Sequence, residues 1–168
     1  MMEIKNKIAE SGLIKIDLED YFPKEAIIAF DIKPLLFKEL ILKEKDFRLA
    51  LKAQNWVEFS DKTIAIFCSS DAILPQWSFM LITQYLLPFT NKIYYGNPKI
   101  VAQNLLLDNI NKINIESFIN QKVVIKGCSQ ETLSSAAYVE ISKKLIPHVT
   151  SLFFGEPCST VPVYKKKK

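Results

Sequence analysis

Glycine is scarce in this chain. Four are present among 168 residues, at positions 12, 96, 127 and 155, and they never cluster. There is no G-x-G-x-x-G and no G-x-x-x-x-G-K-[ST], so neither common phosphate cradle is available, and the sequence argues against a dinucleotide-binding or P-loop enzyme. Histidine is scarcer still. His148 stands alone, after Pro147 and ahead of the last predicted strand, which puts it at the amino end of a parallel sheet in a structural or surface role. Long apolar runs are also missing. No stretch reaches the roughly 18 uncharged apolar residues of a membrane span, and Met1-Met2-Glu3-Ile4-Lys5-Asn6-Lys7 lacks the apolar core of a signal peptide. Cysteine is limited to three, an odd number that fits free or metal-bound thiols in a reducing cytoplasm better than a disulfide framework.

Net charge is small. The formal value of +4 is supplied by Lys165 to Lys168, and without them 18 cations face 18 anions. The balance offers no case for nucleic acid as a partner, and the four lysines are expected to fray into solvent as a disordered tail. Length and an ordinary hydrophobic fraction of 49% lead us to expect one domain over residues 1–164, followed by that tail at 165–168.

What the chain does have is a regular alternation of apolar runs and helical patterns. Candidate strands fall at 63–68, 92–95, 122–127 and 149–154, with helices over 72–87, 98–111 and 133–146 between them. Successive strands begin about 30 residues apart, the size of a βαβ unit, and each gap has room for the crossover that parallel strands require. The fold class read from this spacing is α/β: a single layered domain with a mainly parallel sheet of about four strands. Earlier segments at 13–18 and 26–31 also read as strands, and their short connection predicts an antiparallel hairpin or a sheet edge. Between them and the regular region, 35–53 reads as helix with a break near 42–45. Local signals agree: Asp71 is placed to cap 72–87, Asn97-Pro98 to open the next helix, and Pro147 to stop the last.

The three cysteines close this argument. Cys68, Cys128 and Cys158 each stand at or just beyond the carboxyl end of a predicted strand, and each precedes a serine. In open α/β sheets ligands bind outside the carboxyl ends of the strands, and with parallel strands the three thiols would lie along one rim of one sheet. Neighbouring strands are about 4.8 Å apart, and zinc–sulfur bonds of about 2.3 Å bring ligand sulfurs within 4 Å of one another. Three thiolates from adjacent strand ends would therefore suit zinc or an iron–sulfur cluster, with Asp71 or Glu156 as fourth ligand or as an outer hydrogen-bonding group. Glu156 stands in Gly155-Glu156-Pro157-Cys158, a loop that Pro157 and Pro162 would stiffen. Trp77 and Tyr138, near the helix starts after Cys68 and Cys128, would wall a pocket at the rim.

Two other readings stand beside the metal site. Cys68 or Cys128, each ahead of a helix whose N-terminus favours the thiolate, would serve a sulfur-transfer or redox enzyme, with Lys126 assisting if it reaches the rim. Alternatively, the cysteines are structural and the exposed helices form a protein-interaction module.

Several segments together carry a resemblance: Ile41-Leu42-Lys43-Glu44-Lys45-Asp46-Phe47-Arg48, Cys68-Ser69-Ser70-Asp71-Ala72-Ile73 with Pro75 and Trp77, Lys126-Gly127-Cys128, and Gly155-Glu156-Pro157-Cys158-Ser159-Thr160-Val161-Pro162. They resemble, over essentially the whole chain, a bacterial family catalogued as domain of unknown function 2480. The resemblance implies no reaction. Members of that family are often encoded close to iron–sulfur assembly genes, so the resemblance implies iron–sulfur assembly proteins as partners and an iron–sulfur or sulfur-handling role.

Overall fold

The structure is a computed structural model that describes residues 12–126, 133–156 and 159–167. The chain divides into two compact units. One is the contiguous segment 23–102, and the other joins the N-terminal residues through Phe22 to the segment from Gln103 onward.

The contiguous unit holds three parallel strands in the order β2-β3-β4: β2 Ile27–Asp31, β3 Thr63–Phe67 and β4 Ile93–Tyr95. Thr63-Ile64-Ala65-Ile66 is buried at every residue, as expected for a central parallel strand covered on both faces. Helix α1, Glu44–Ala53, makes the crossover from β2 to β3, and α2, Gln76–Leu86, that from β3 to β4. On α1, Phe47 and Leu51 are fully buried at i,i+4 spacing, one above the other on the inward face. They join Phe30, Ile32, Ile64, Ile66, Ile82 and Leu86 in one core. Trp56 is stacked between Phe30 and Tyr85, at 5.5 and 5.2 Å between ring centroids, and its indole N–H donates to the Leu51 carbonyl at 2.8 Å. The helix expected from residue 35 starts only at Glu44, because Lys38 and Glu39 take positive φ values of 50° and 60° in a tight turn closed by pairing of Phe37 with Ile41.

The second unit has four strands in the order β1-β5-β6-β7. Here β1 is Leu13–Asp17, β5 Lys122–Lys126, β6 Ser151–Glu156 and β7 Ser159–Lys165. The first three are parallel, and β7 runs antiparallel to β6. Helix α3, Pro98–Asn111, crosses the boundary between the units, and α4, Ser135–Leu145, connects β5 to β6. Ile16, Leu106, Ile110, Val123, Ile125, Ile141, Leu145 and Leu152 form the core.

The α/β class, the helical crossovers and mainly parallel sheets with an antiparallel edge pair are as expected from the sequence, although that pair was expected at the N-terminus. The strand order is not as expected. The segments at 13–18 and 26–31 do not form a hairpin: β1 pairs in parallel with β5, and β2 with β3. The Asp17 carboxylate accepts the Glu19 N–H at 3.1 Å and opens a 3-10 turn over Leu18–Tyr21, so the chain leaves β1 without reversing against it. The four regular strands likewise do not share a sheet: β3 and β4 lie in one, β5 and β6 in the other.

The antiparallel edge itself comes from the C-terminus. Residues Ser159–Lys165, expected to be loop and tail, are β7, and the Lys166 N–H donates to the Thr150 carbonyl at 2.9 Å beyond the strand's end. Pro162 fits because β7 is an edge strand, where a missing ladder donor costs little. It stands opposite Phe153 at a bulge.

Gly155 shows how tightly this hairpin is built. Its φ is +117°, and a Cβ there would lie 2.6 Å from the Ser159 carbonyl oxygen, whereas at Gly12, φ +60°, a Cβ meets nothing within 4 Å. Gly12→Ala is expected to cost about 1–2 kcal/mol, the left-handed penalty alone. Gly155→Ala adds a collision with backbone and is expected to cost about 3 kcal/mol or more. Urea denaturation of the two variants checks this, and equal costs would show that the hairpin yields.

Candidate functional site

A candidate site among the described residues lies in the contiguous unit, at the carboxyl ends of β3 and β4. The ladder ends with the Ile32 N–H donating to the Phe67 carbonyl at 2.8 Å, and Cys68 follows. Asp31, the last residue of β2, then grips the chain beyond the thiol. Its Oδ1 accepts the backbone N–H groups of Ser69 and Lys33, both at 3.0 Å, and its Oδ2 accepts the Ser69 hydroxyl at 2.5 Å. Burial pushes the Asp31 carboxyl up, but these hydrogen bonds and the nearby Lys33 charge outweigh it and hold the carboxyl below its ordinary value. They favour the ionised form, which is the acceptor.

With the loop start fixed, Cys68 Sγ lies 3.2 Å from the Ser70 hydroxyl. The thiol is half-buried and lines a cavity of about 250 Å³ together with Ser70, Leu74, Gln76, Phe79 and Tyr95. Tyr95 is the end of β4, tied to β3 by the Gly96 N–H donating to the Ile66 carbonyl at 2.9 Å. Phe79 meets its ring edge-on at 5.5 Å. Gln76 opens α2, and no side chain caps that helix. The polar groups gathered here are a thiol, a hydroxyl, a primary amide and a phenol.

Other residues singled out from the sequence stand elsewhere. Asp71 is exposed and caps nothing, because α2 begins only at Gln76, after Pro75. Trp77 meets Phe47 edge-on at 6.1 Å, with the Arg48 guanidinium 5.4 Å over its ring, and does not line the Cys68 cavity. Tyr138, on α4 in the second unit, meets Phe154 of β6 edge-on at 5.7 Å. Glu156 ends β6 opposite Ser159.

Lys126 does not serve as a free base. Its ammonium pairs with Asp17 at 2.8 Å across the β1–β5 ladder. The shared hydrogen bond holds the Asp17 carboxyl below, and the Lys126 amine above, their ordinary values. His148 gives its backbone carbonyl to the Asn120 N–H at 2.9 Å, ahead of β5, at the amino end of the sheet as expected.

Cys128 and Cys158 lie outside the described residues. The strands before them, β5 and β6, are neighbours, but β3, which precedes Cys68, has only β2 and β4 beside it. The expectation that the strands ahead of the three cysteines share one sheet is therefore corrected. Among the described residues no group of three or more His, Cys, Asp or Glu side chains is placed to hold a metal ion.

Sequence reasoning missed Asp31, Ser69, Gln76 and Tyr95. Asp31 carried a usable signal, an acid directly after an apolar strand, but pairing that strand with β1 removed it from the Cys68 rim.

The fold and this site define an α/β protein with a thiol-lined cavity at the carboxyl ends of a parallel sheet. The chain belongs to the family described as "Protein of unknown function (DUF2480)", whose sequence model matches residues 2–166. No curated protein and no solved structure matches it.

The Asp31 grip has a pH signature. A carboxyl held below its unfolded value of 3.8 stabilises the fold fully above that value, and the contribution is lost as pH falls through the folded value. Asp31→Asn is therefore expected to be less stable than wild type at neutral pH, with the difference shrinking as pH drops below 3.8. Urea midpoints from pH 7 to pH 3 measure it, and a pH-independent difference would show that Asp31 acts through its shape alone.

Proposed function

We propose that this protein uses Cys68 as a nucleophilic thiol on a small sulfur-containing substrate held at the carboxyl ends of β3 and β4. The observation that carries the reading is the cavity: a half-buried thiol, a hydroxyl 3.2 Å from its sulfur, and an uncapped helix start lining about 250 Å³. That volume is below the range of roughly 300–1,000 Å³ for drug-sized ligands, which fits a substrate of a few heavy atoms. The Ser70 hydroxyl can donate a hydrogen bond to the sulfur.

In sulfur transfer, the Cys68 thiolate attacks the outer sulfur of a small persulfide. A new sulfur–sulfur bond forms on Cys68, the donor's sulfur–sulfur bond breaks, and its inner sulfur leaves as a thiolate. No outside oxidant or reductant is needed. In the second reading the thiols bind zinc or an iron–sulfur cluster. Its support is that β5 and β6, the strands ahead of Cys128 and Cys158, are adjacent and parallel.

The experiment is anaerobic incubation of the native chain with a small persulfide, followed by site-resolved mass spectrometry and elemental analysis. Cys68 is expected to gain one sulfur in preference to the other cysteines, and Ser70→Ala to slow the uptake by roughly tenfold, the worth of one hydrogen bond to a charged group. Sulfur spread evenly over the three cysteines, or absent from Cys68, would overturn the reading. Stoichiometric zinc or iron, lost on Cys128→Ser, would establish the second.

A further inference from the structure

The second unit carries a groove of a different character, at the amino ends of β5 and β6. Lys122 of β5 stands opposite Ser151 of β6, and Ser151 stands opposite Lys165 of β7. Directly paired residues project from the same face of a sheet, so the row reads lysine, serine, lysine across three strands. The small central residue leaves a trough between two long cationic side chains. The two lysine Cα atoms are two strand spacings apart, about 10 Å. Lys166 is fixed beyond the strand by its N–H bond to the Thr150 carbonyl at 2.9 Å, and Lys167 follows it. Thr150 is itself anchored, its N–H and hydroxyl both donating to the Gln121 carbonyl at 2.8 and 2.9 Å.

Together Lys122, Thr150, Ser151, Lys165, Lys166 and Lys167 line a cavity of about 540 Å³. The ion pairs among the described residues use Lys33, Arg48, Lys92, Lys126 and Lys143, and none of the groove's four lysines. Like charges on neighbouring strands are unfavourable when directly opposite, and here Ser151 separates Lys122 from Lys165.

We infer that this groove binds a small polyanion of the di- or triphosphate class. The four ammonium groups are point charges with three donors each, suited to phosphate oxygens. The lysine stems form apolar walls. Cations on both sides of Ser151, with Lys166 and Lys167 beyond, can each engage a different phosphate of one linked anion. The volume lies within the range of small-molecule sites. The inference is independent of the thiol reading, which concerns the other unit.

Calorimetric titration of the full chain with inorganic pyrophosphate and tripolyphosphate at low salt tests it. Binding is expected, weakening as salt rises and dropping about tenfold or more in Lys122→Ala and in Lys165→Ala, the loss of one charge-assisted contact each. Circular dichroism confirms that these exposed-site variants fold. No binding by the wild type would overturn the proposal. So would equal affinity for orthophosphate, since the site would then not span two phosphates. Loss of binding on deleting Lys166 to Lys168 with Lys122→Ala unaffected would overturn it as well, showing a free polybasic tail. Tight binding of single-stranded nucleic acid without pyrophosphate binding would replace the proposal with a nucleic-acid surface.

Discussion

The parallel pairing of β2 with β3 is the constraint on which the thiol site depends. A strand as apolar as Thr63-Ile64-Ala65-Ile66-Phe67 must be flanked on both edges and covered on both faces to satisfy its backbone and bury its side chains. Its neighbour β2 runs in the same direction, so Asp31 arrives at the same end of the sheet as Phe67. An antiparallel neighbour would have delivered Asp31 to the opposite end. Because it arrives here, its carboxylate meets Ser69 and sets the path of the chain immediately beyond Cys68. The position of the thiol is thus decided by strand direction first and by its own loop second.

Much of this was legible locally. The apolar runs that became β3 and β5 are unmistakable, and α3 covers 98–111 as read, because Asn97 Oδ1 accepts the Ile100 N–H at 2.9 Å and Pro98 has no N–H to lose. Where local signals compete, the boundary shifted. Pro75 disfavours helix for the residue before it, so α2 starts after it and Asp71 is left exposed. β7 escaped notice because Val161 and Val163 are exposed and Pro162 argues against a strand unless that strand is known to be an edge.

Strand order was not legible, and the reason is physical. Pairing between β1 and β5 joins residues 109 positions apart, and no local pattern encodes a partner at that distance. The same gap explains the fate of the three cysteines. Their recurrence after apolar strands was read correctly as a pattern of sequence, but whether such strands are neighbours is a property of the sheet. The lysine groove illustrates the converse. A run of lysines at the C-terminus has the composition of a solvated tail, and only pairing of Lys165 with Ser151 makes it part of a shaped surface.

One unit is built from a contiguous segment, and the other begins before it and ends after it. Every contact in the β2-β3-β4 sheet is available once the ribosome has released the chain through β4. The β1-β5-β6-β7 sheet, in contrast, must hold its first strand without a partner while the whole inserted unit is made. Closing a larger loop costs only slightly more entropy, but it delays the first native contact of β1. During synthesis, β1 is therefore an unpaired apolar edge waiting for β5, the interval in which a nascent chain of this design is most open to chaperones and to mispairing.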